Sequence, residues 1–188
     1  MNLQLAATRT AGAGVFLRLD VLEFESKDGR RVLRDVVRHP GGVAVLAVED
    51  DRVWLVRQHR APFQRDVIEI PAGKLDPSDV YPLEAARREC REELGAEPGR
   101  LTLLTTLMTS PGYTDEVLHL FLAENLEWGL RHPDGIEEEH ATIFSISIDE
   151  ALRQIEAGEL TDAKTQVALL LWNQHRDAQG PMLPIEER

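Results

Sequence analysis

Apolar and polar residues alternate, imperfectly, along Val15–Ser26. That run ends in the turn sequence Lys27–Arg30, and Arg31–His39 is placed to return as the second strand of a hairpin. Gly41–Arg60 predicts two strands around an acidic turn at Asp50–Asp51. Asp66–Asp76 starts as a short strand and runs into a Gly/Pro loop. Leu101–Leu107 and Glu116–Leu126 predict two further strands flanking the loop MTSPGYTDE. After Asp134 an acidic loop leads into another strand, and helical patterns follow over Ile148–Gly158 and Thr161–Ala178. Strands and helices are mixed, no internal repeat stands out, and short connections imply mostly antiparallel pairing.

The clearest helix starts at Pro82, with Gly95 as its stop and Pro98 beyond. At about 100° per residue, Leu83, Ala86, Cys90 and Leu94 fall within one arc of roughly 80°, the expected buried stripe. Glu89 and Glu93 share the neighbouring arc, and Glu92 lies roughly 60° further round. Glu84, Arg88 and Arg91 take the outer side, where Glu84 and Arg88 are spaced as an i,i+4 pair. Three acids therefore line the shoulder between core and solvent, directly after the Gly/Pro loop IPAGKLDP. A charged surface helix would have the same composition. Carboxylates at i, i+3 and i+4 also suit a hard divalent cation such as Mg²⁺ or Mn²⁺.

Charge and composition narrow the classes. The 188 residues carry a net charge of −12, which argues against a nucleic-acid-binding surface but not against a small phosphorylated ligand. No apolar run is long enough for a membrane span, and the start of the chain lacks the pattern of an export signal. One cysteine makes neither an internal disulfide nor a zinc cluster, which fits a reducing cytoplasm. The six histidines show no ligand spacing, and His119 is mid-strand. Cys90 lies on the helix stripe, and Leu169–Trp172 reads as the core face of the last helix.

Gly73–Ala96 resembles the Nudix box, G-x5-E-x7-R-E-U-x-E-E-x-G-U, with U bulky and apolar. Arg88-Glu89-Cys90-Arg91-Glu92-Glu93-Leu94-Gly95 matches its core. Counting from Gly73 puts Asp79 at the leading acid, whereas counting back from Arg88 reaches Val80, so this loop is one residue longer than the pattern. The stretches VRQHR, EIPAG, SPGYTDE and GELTDAKTQVALLLW are similar to the ADP-ribose pyrophosphatase branch of that family.

The resemblance implies an α/β (α+β) Nudix sandwich, α/β/α in layers, with a mixed sheet. It implies an N-terminal strand region, 1–40, pairing in a homodimer, a hydrolase domain over 41–178 and a tail over 179–188. It further implies hydrolysis of a nucleoside diphosphate linked to another group, with ADP-ribose giving AMP and ribose 5-phosphate. The alternatives are a nucleotide-sugar pyrophosphatase acting on GDP-mannose or ADP-glucose, and a non-catalytic ADP-ribose sensor.

By the same resemblance Mg²⁺ or Mn²⁺ would be held by Glu89, Glu92, Glu93 and the Ala72 carbonyl. A catalytic acid would come from Gly135–His140, with Glu137 first and Glu139 next. Arg60 would grip phosphate, as a guanidinium can do bidentately. Arg57, Arg38, Glu69 and Glu116 are further substrate-binding candidates.

Overall fold

The structure is a computed structural model that describes residues 3–177. The expected tail, 179–188, lies outside the described residues. The described residues divide into two compact units, one reaching to Gly42 and taking in Leu107–Leu118, the other holding Val43–Thr106 and the described residues from His119.

The first unit is built on an antiparallel sheet in the order β1 (Leu3–Ala13), β2 (Arg18–Ser26), β3 (Arg31–Arg38). The β2–β3 hairpin follows the sequence pattern. Strand β1 is nearly all exposed, so it lacks the one-sided burial that makes a strand readable. The loop before Glu116 joins this unit through backbone bonds. Val37 N–H donates to the Tyr113 carbonyl at 2.7 Å, and Asp115 N–H donates to the Val37 carbonyl at 3.3 Å.

The second unit carries a mixed sheet in the order β10 (Thr142–Ser147), β5 (Arg52–Arg60), β4 (Gly42–Glu49), β9 (Val117–Trp128), β8 (Ala96–Met108). Strands β6 (Arg65–Glu69) and β7 (Ala72–Lys74) pair with β5 and β4. Residues Gly42–Ala47 of β4 are buried without interruption, as expected for a central strand covered on both faces. Asp50 and Asp51 join β4 to β5 with φ of 46° and 60°, the positive values a two-residue hairpin turn needs.

Helix α1 (Pro82–Glu89) begins with proline in the first turn after an extended Tyr81, which suits a position whose N–H has no helical partner. Its last turn continues as a π-helical turn over Cys90–Leu94 and stops at Gly95, whose φ of 73° favours glycine. The face turned to the core is Ala85, Ala86, Cys90 and Leu94, packed with Val43, Val45, Val56 and Phe121. Leu83, expected in that stripe, is exposed, and the small Ala85 takes its place. Truncating the fully enclosed Phe121 would cost about 3–5 kcal/mol.

The segment expected as an acidic loop contains the short helix α2 (Ile136–Glu139). The chain then runs through β10 into α3 (Ile148–Glu156) and α4 (Ala163–Asp177). On α4 the core side is Thr165, Ala168 and Leu169, while Leu170 is exposed rather than part of the buried face.

Candidate active site

The site is assembled where the β6–β7 loop meets the end of α1. Glu93 is buried, and its Oε2 accepts from the Ala72 N–H at 3.0 Å. Glu89 is also buried, and its Oε1 accepts from Arg88 at 2.6 Å. Gly73 faces that carboxylate so closely that a Cβ would overlap it, so glycine lets the loop pass over Glu89 without displacing its carboxylate. From α2, Glu138 completes the group. Glu89, Glu93 and Glu138 each offer one oxygen, all within 4.8 Å of one another.

Three carboxylates at that range repel strongly. At an effective dielectric constant near 20, each ionised pair costs about 3 kcal/mol or more. Burial pushes Glu93 up to about 8, and the neighbouring charge of Glu89 adds to the shift. Burial pushes Glu89 up to about 7, with Arg88 opposing and Glu92 reinforcing. Glu138 is also raised, again chiefly by burial. A protein that buries acids at such cost without a matching set of cations offers a fitting place for a divalent ion. The all-oxygen donor set suits Mg²⁺ or Mn²⁺.

Arg88 does not take the outer side of the helix. It donates to Glu89, to Glu92 at 2.9 Å, and to Asp79 and the Lys74 carbonyl at 3.1 Å each. Glu84 instead accepts from the Val80 N–H at 3.1 Å, so the i,i+4 pair read from spacing is not formed. Glu84 and Arg88 both precede the π-helical turn, and Arg88 is drawn instead to Glu89, Glu92 and Asp79, a larger negative charge than Glu84 alone. The extra loop residue is absorbed in the turn Asp76–Asp79, where Asp79 N–H donates to the Asp76 carbonyl at 2.9 Å. Asp79 thereby meets Arg88 as the leading acid. Its partial burial would raise its pKa, but the Asp76 N–H and Arg88 hold it below the ordinary value.

Other expected residues are distributed as follows. Glu92 lies against Arg88 and is outside the three-carboxylate group. Glu137 and Glu139 are exposed, and the carboxylate of α2 that reaches the buried pair is Glu138. Consecutive residues on a helix point about 100° apart, and a run of three glutamates does not disclose which of them faces the site. Arg60 donates its Nε to the buried Glu69 at 2.6 Å, and Lys164 pairs with the other Glu69 oxygen. Arg57 is exposed, 5.5 Å from the Phe144 ring centre, and lines a cavity of about 430 Å³ with His59, Asp66, Glu137, His140 and Thr142. Arg38 and Glu116 belong to the other unit. Arg38 bonds Asp20 at 3.0 Å and Asp115 at 2.8 Å, and Glu116 accepts from Thr109 at 2.5 Å. Arg18 and Arg38 together hold the Asp20 carboxyl down to about 2.

The NUDIX domain pattern matches residues 38–170, most of the chain. The chain belongs to the Nudix family. It is a Nudix hydrolase, and its box is the loop and helix described above. It is 39% identical over 158 residues to an ADP-ribose pyrophosphatase of Bacillus subtilis (strain 168), covering 84% of this chain and 85% of that protein. It is 31% identical to a GDP-mannose pyrophosphatase of Cronobacter sakazakii (strain ATCC BAA-894), covering 97% and 98%. The crystal structure of an ADP compounds hydrolase superposes with a TM-score of 0.84 at 22% identity, covering 97% and 98% of the two chains, and shows the shared fold.

Sequence reasoning missed Lys164 and Asp162 beside this Nudix site. A signal was present: Asp162 three residues before Thr165 has the spacing of a helix cap, and Asp162 Oδ2 does accept from the Thr165 N–H at 3.0 Å.

Proposed function

We propose that this Nudix hydrolase cleaves the pyrophosphate bond of ADP-ribose, giving AMP and ribose 5-phosphate. The observation that carries the reading is the buried carboxylate group Glu89, Glu93 and Glu138, with Arg60 near enough for its charge to act on Glu93. The similarity to an ADP-ribose pyrophosphatase over 84% of the chain supports ADP-ribose as the substrate. Similarity to a GDP-mannose pyrophosphatase keeps a nucleotide sugar as the second reading.

Mg²⁺ or Mn²⁺ would be held by Glu89, Glu93 and Glu138, with Glu92 and the Ala72 carbonyl as the other donors. A bound divalent cation offsets the pyrophosphate charge and lowers the pKa of bound water. Arg60 binds phosphate oxygens through its terminal nitrogens, since its Nε is taken by Glu69. Arg88 holds Glu89 and Glu92 in place against their mutual repulsion. Glu138 is the α2 acid that reaches the buried pair, and the carboxylate oxygen it does not offer to the cation would accept the proton of the attacking water. The cavity lined by Arg57 and Glu137 offers room for a non-reacting part of the substrate.

The exposed strand β1 supports the further proposal that the N-terminal sheet pairs with a second subunit in a homodimer. The reducing environment suggested by a single free cysteine supports a cytoplasmic location. Among the described residues, no helix is long and apolar enough to cross a membrane.

The test is product analysis with Mg²⁺ on ADP-ribose, ADP-glucose, GDP-mannose, NADH and diadenosine polyphosphates. AMP with ribose 5-phosphate as the fastest products is expected. Preference for GDP-mannose would move the protein to the second reading, and no turnover of any compound would overturn both.

A further inference from the structure

Glu69 is 2% exposed and lies at the end of β6, yet it is bonded by two cations from distant parts of the chain. Arg60 Nε takes its Oε1 at 2.6 Å, and Lys164 takes its Oε2. Lys164 also donates to Asp162 at 3.0 Å, so two cations and two anions form a neutral group. The charges of Glu93 and Asp162 both act on Arg60, which puts this group within electrostatic reach of the acid cluster.

The group is fixed to the same backbone that carries the cluster. Thr165, in the first turn of α4, donates its hydroxyl to Asp162 and accepts from the Ile70 N–H at 2.9 Å. Two residues later Ala72 N–H holds Glu93. The start of α4 therefore sets the position of both Glu69 and the loop that supports Glu93.

We propose that Lys164 is a positioning residue for the pyrophosphate: it neutralises the buried Glu69, so that Arg60 presents its charge and its terminal nitrogens to the substrate. This rests on the hydrolase reading above and extends it to a residue that contacts Arg60 only through Glu69. Without Lys164, Glu69 would be left with Arg60 as its sole cation. A buried carboxylate that loses one partner draws more strongly on the other. Arg60 would then be drawn toward paired use of both Glu69 oxygens, and the local charge would fall by one beside three acids. An anionic substrate meets both effects as weaker binding in ground state and transition state alike, which raises KM and leaves kcat nearly unchanged.

The test compares wild type, Lys164→Met, Lys164→Gln and Lys164→Arg with Mg²⁺ on ADP-ribose and GDP-mannose, using whichever is turned over. Lys164→Gln keeps a hydrogen-bond donor for Glu69 and serves if Lys164→Met fails to fold. Both uncharged variants are expected to raise KM about tenfold, equivalent to about 1.4 kcal/mol, with kcat within about threefold of wild type. Lys164→Arg is expected to return KM to within about threefold of wild type, since it restores the charge beside Glu69. Unchanged KM in a folded uncharged variant, or a lowered melting temperature with no change in KM, would reduce Lys164 to a purely structural role and overturn the proposal. Failure of wild type to act on either compound would remove the hydrolase reading itself, and the positioning role with it.

Discussion

Gly73→Ala is the substitution whose effect follows most directly from the geometry. The added methyl would meet the Glu89 carboxylate before any other atom, and nothing else crowds it as closely. Non-bonded carbon and oxygen settle at about 3.5 Å, so the carboxylate must withdraw by more than about 1 Å. Glu89 is the end of a side chain, so it can move without unfolding the loop. Once displaced, it no longer offers its oxygen within 4.8 Å of Glu93 and Glu138. A misplacement of about 1 Å at a reacting centre costs roughly 10² in rate, or about 2.7 kcal/mol. Stability should move little, because alanine also restricts the unfolded chain, an effect of about 0.4–1 kcal/mol in its favour. The assay is steady-state hydrolysis of ADP-ribose with Mg²⁺, run beside a thermal melt. Activity should fall about a hundredfold while the melting temperature stays within a few degrees. Because both changes act through one carboxylate, Gly73→Ala added to Glu89→Ala should cost little more than Glu89→Ala alone. Wild-type kcat in Gly73→Ala, or full additivity in the double variant, would show that the added methyl does not act through Glu89.

Glu93→Gln should lower kcat by at least about 10², and Glu138→Gln should lower it far more than Glu137→Gln or Glu139→Gln, checked by the same assay. Metal-free protein should lose stability as pH rises. Glu93 and Glu89 have folded pKa values of about 8 and about 7 against an ordinary 4.5, so their contribution is present below about pH 4.5 and gone above about pH 8. Melting in EDTA across that window should show the decline, and Glu93→Gln should flatten it. Mg²⁺ should reverse the loss most strongly at the alkaline end, where the carboxylates are ionised. Light scattering should give twice the 21.1 kDa of one chain, and a monomer would contradict the pairing of N-terminal sheets.

Much of this fold is legible because burial is one-sided and turns are marked. The β4–β5 hairpin follows from two apolar runs around Asp50–Asp51, and α1 from its proline start and glycine stop. Glu89 and Glu93 were legible as acids on the shoulder of a buried stripe. What the pattern could not convey was phase and partner. The wheel gives a side chain's starting direction but not its reach, so it misplaced Arg88, whose long side chain turns to Glu89, Glu92 and Asp79. Three consecutive glutamates on α2 differ only in direction, and a short helix fixes that direction through tertiary contacts. Lys164 is nearly a hundred positions from Glu69, and nothing local to either residue announces their pairing. Leu83 and Leu170 are apolar yet exposed, and Ala85 and Ala86 on α1 and Ala168 and Leu169 on α4 take the buried positions.

If the carboxylate group of Glu89, Glu93 and Glu138 serves cleavage of a nucleoside diphosphate, the reaction must require a divalent cation. The ³¹P spectrum of ADP-ribose incubated with the protein tests it most directly, with Mg²⁺ and with EDTA. With Mg²⁺ the pyrophosphate signals should give way to two phosphomonoester signals, those of AMP and ribose 5-phosphate, and with EDTA they should persist. Persistence of the pyrophosphate signals with Mg²⁺, or their loss at the same rate in EDTA, would contradict it.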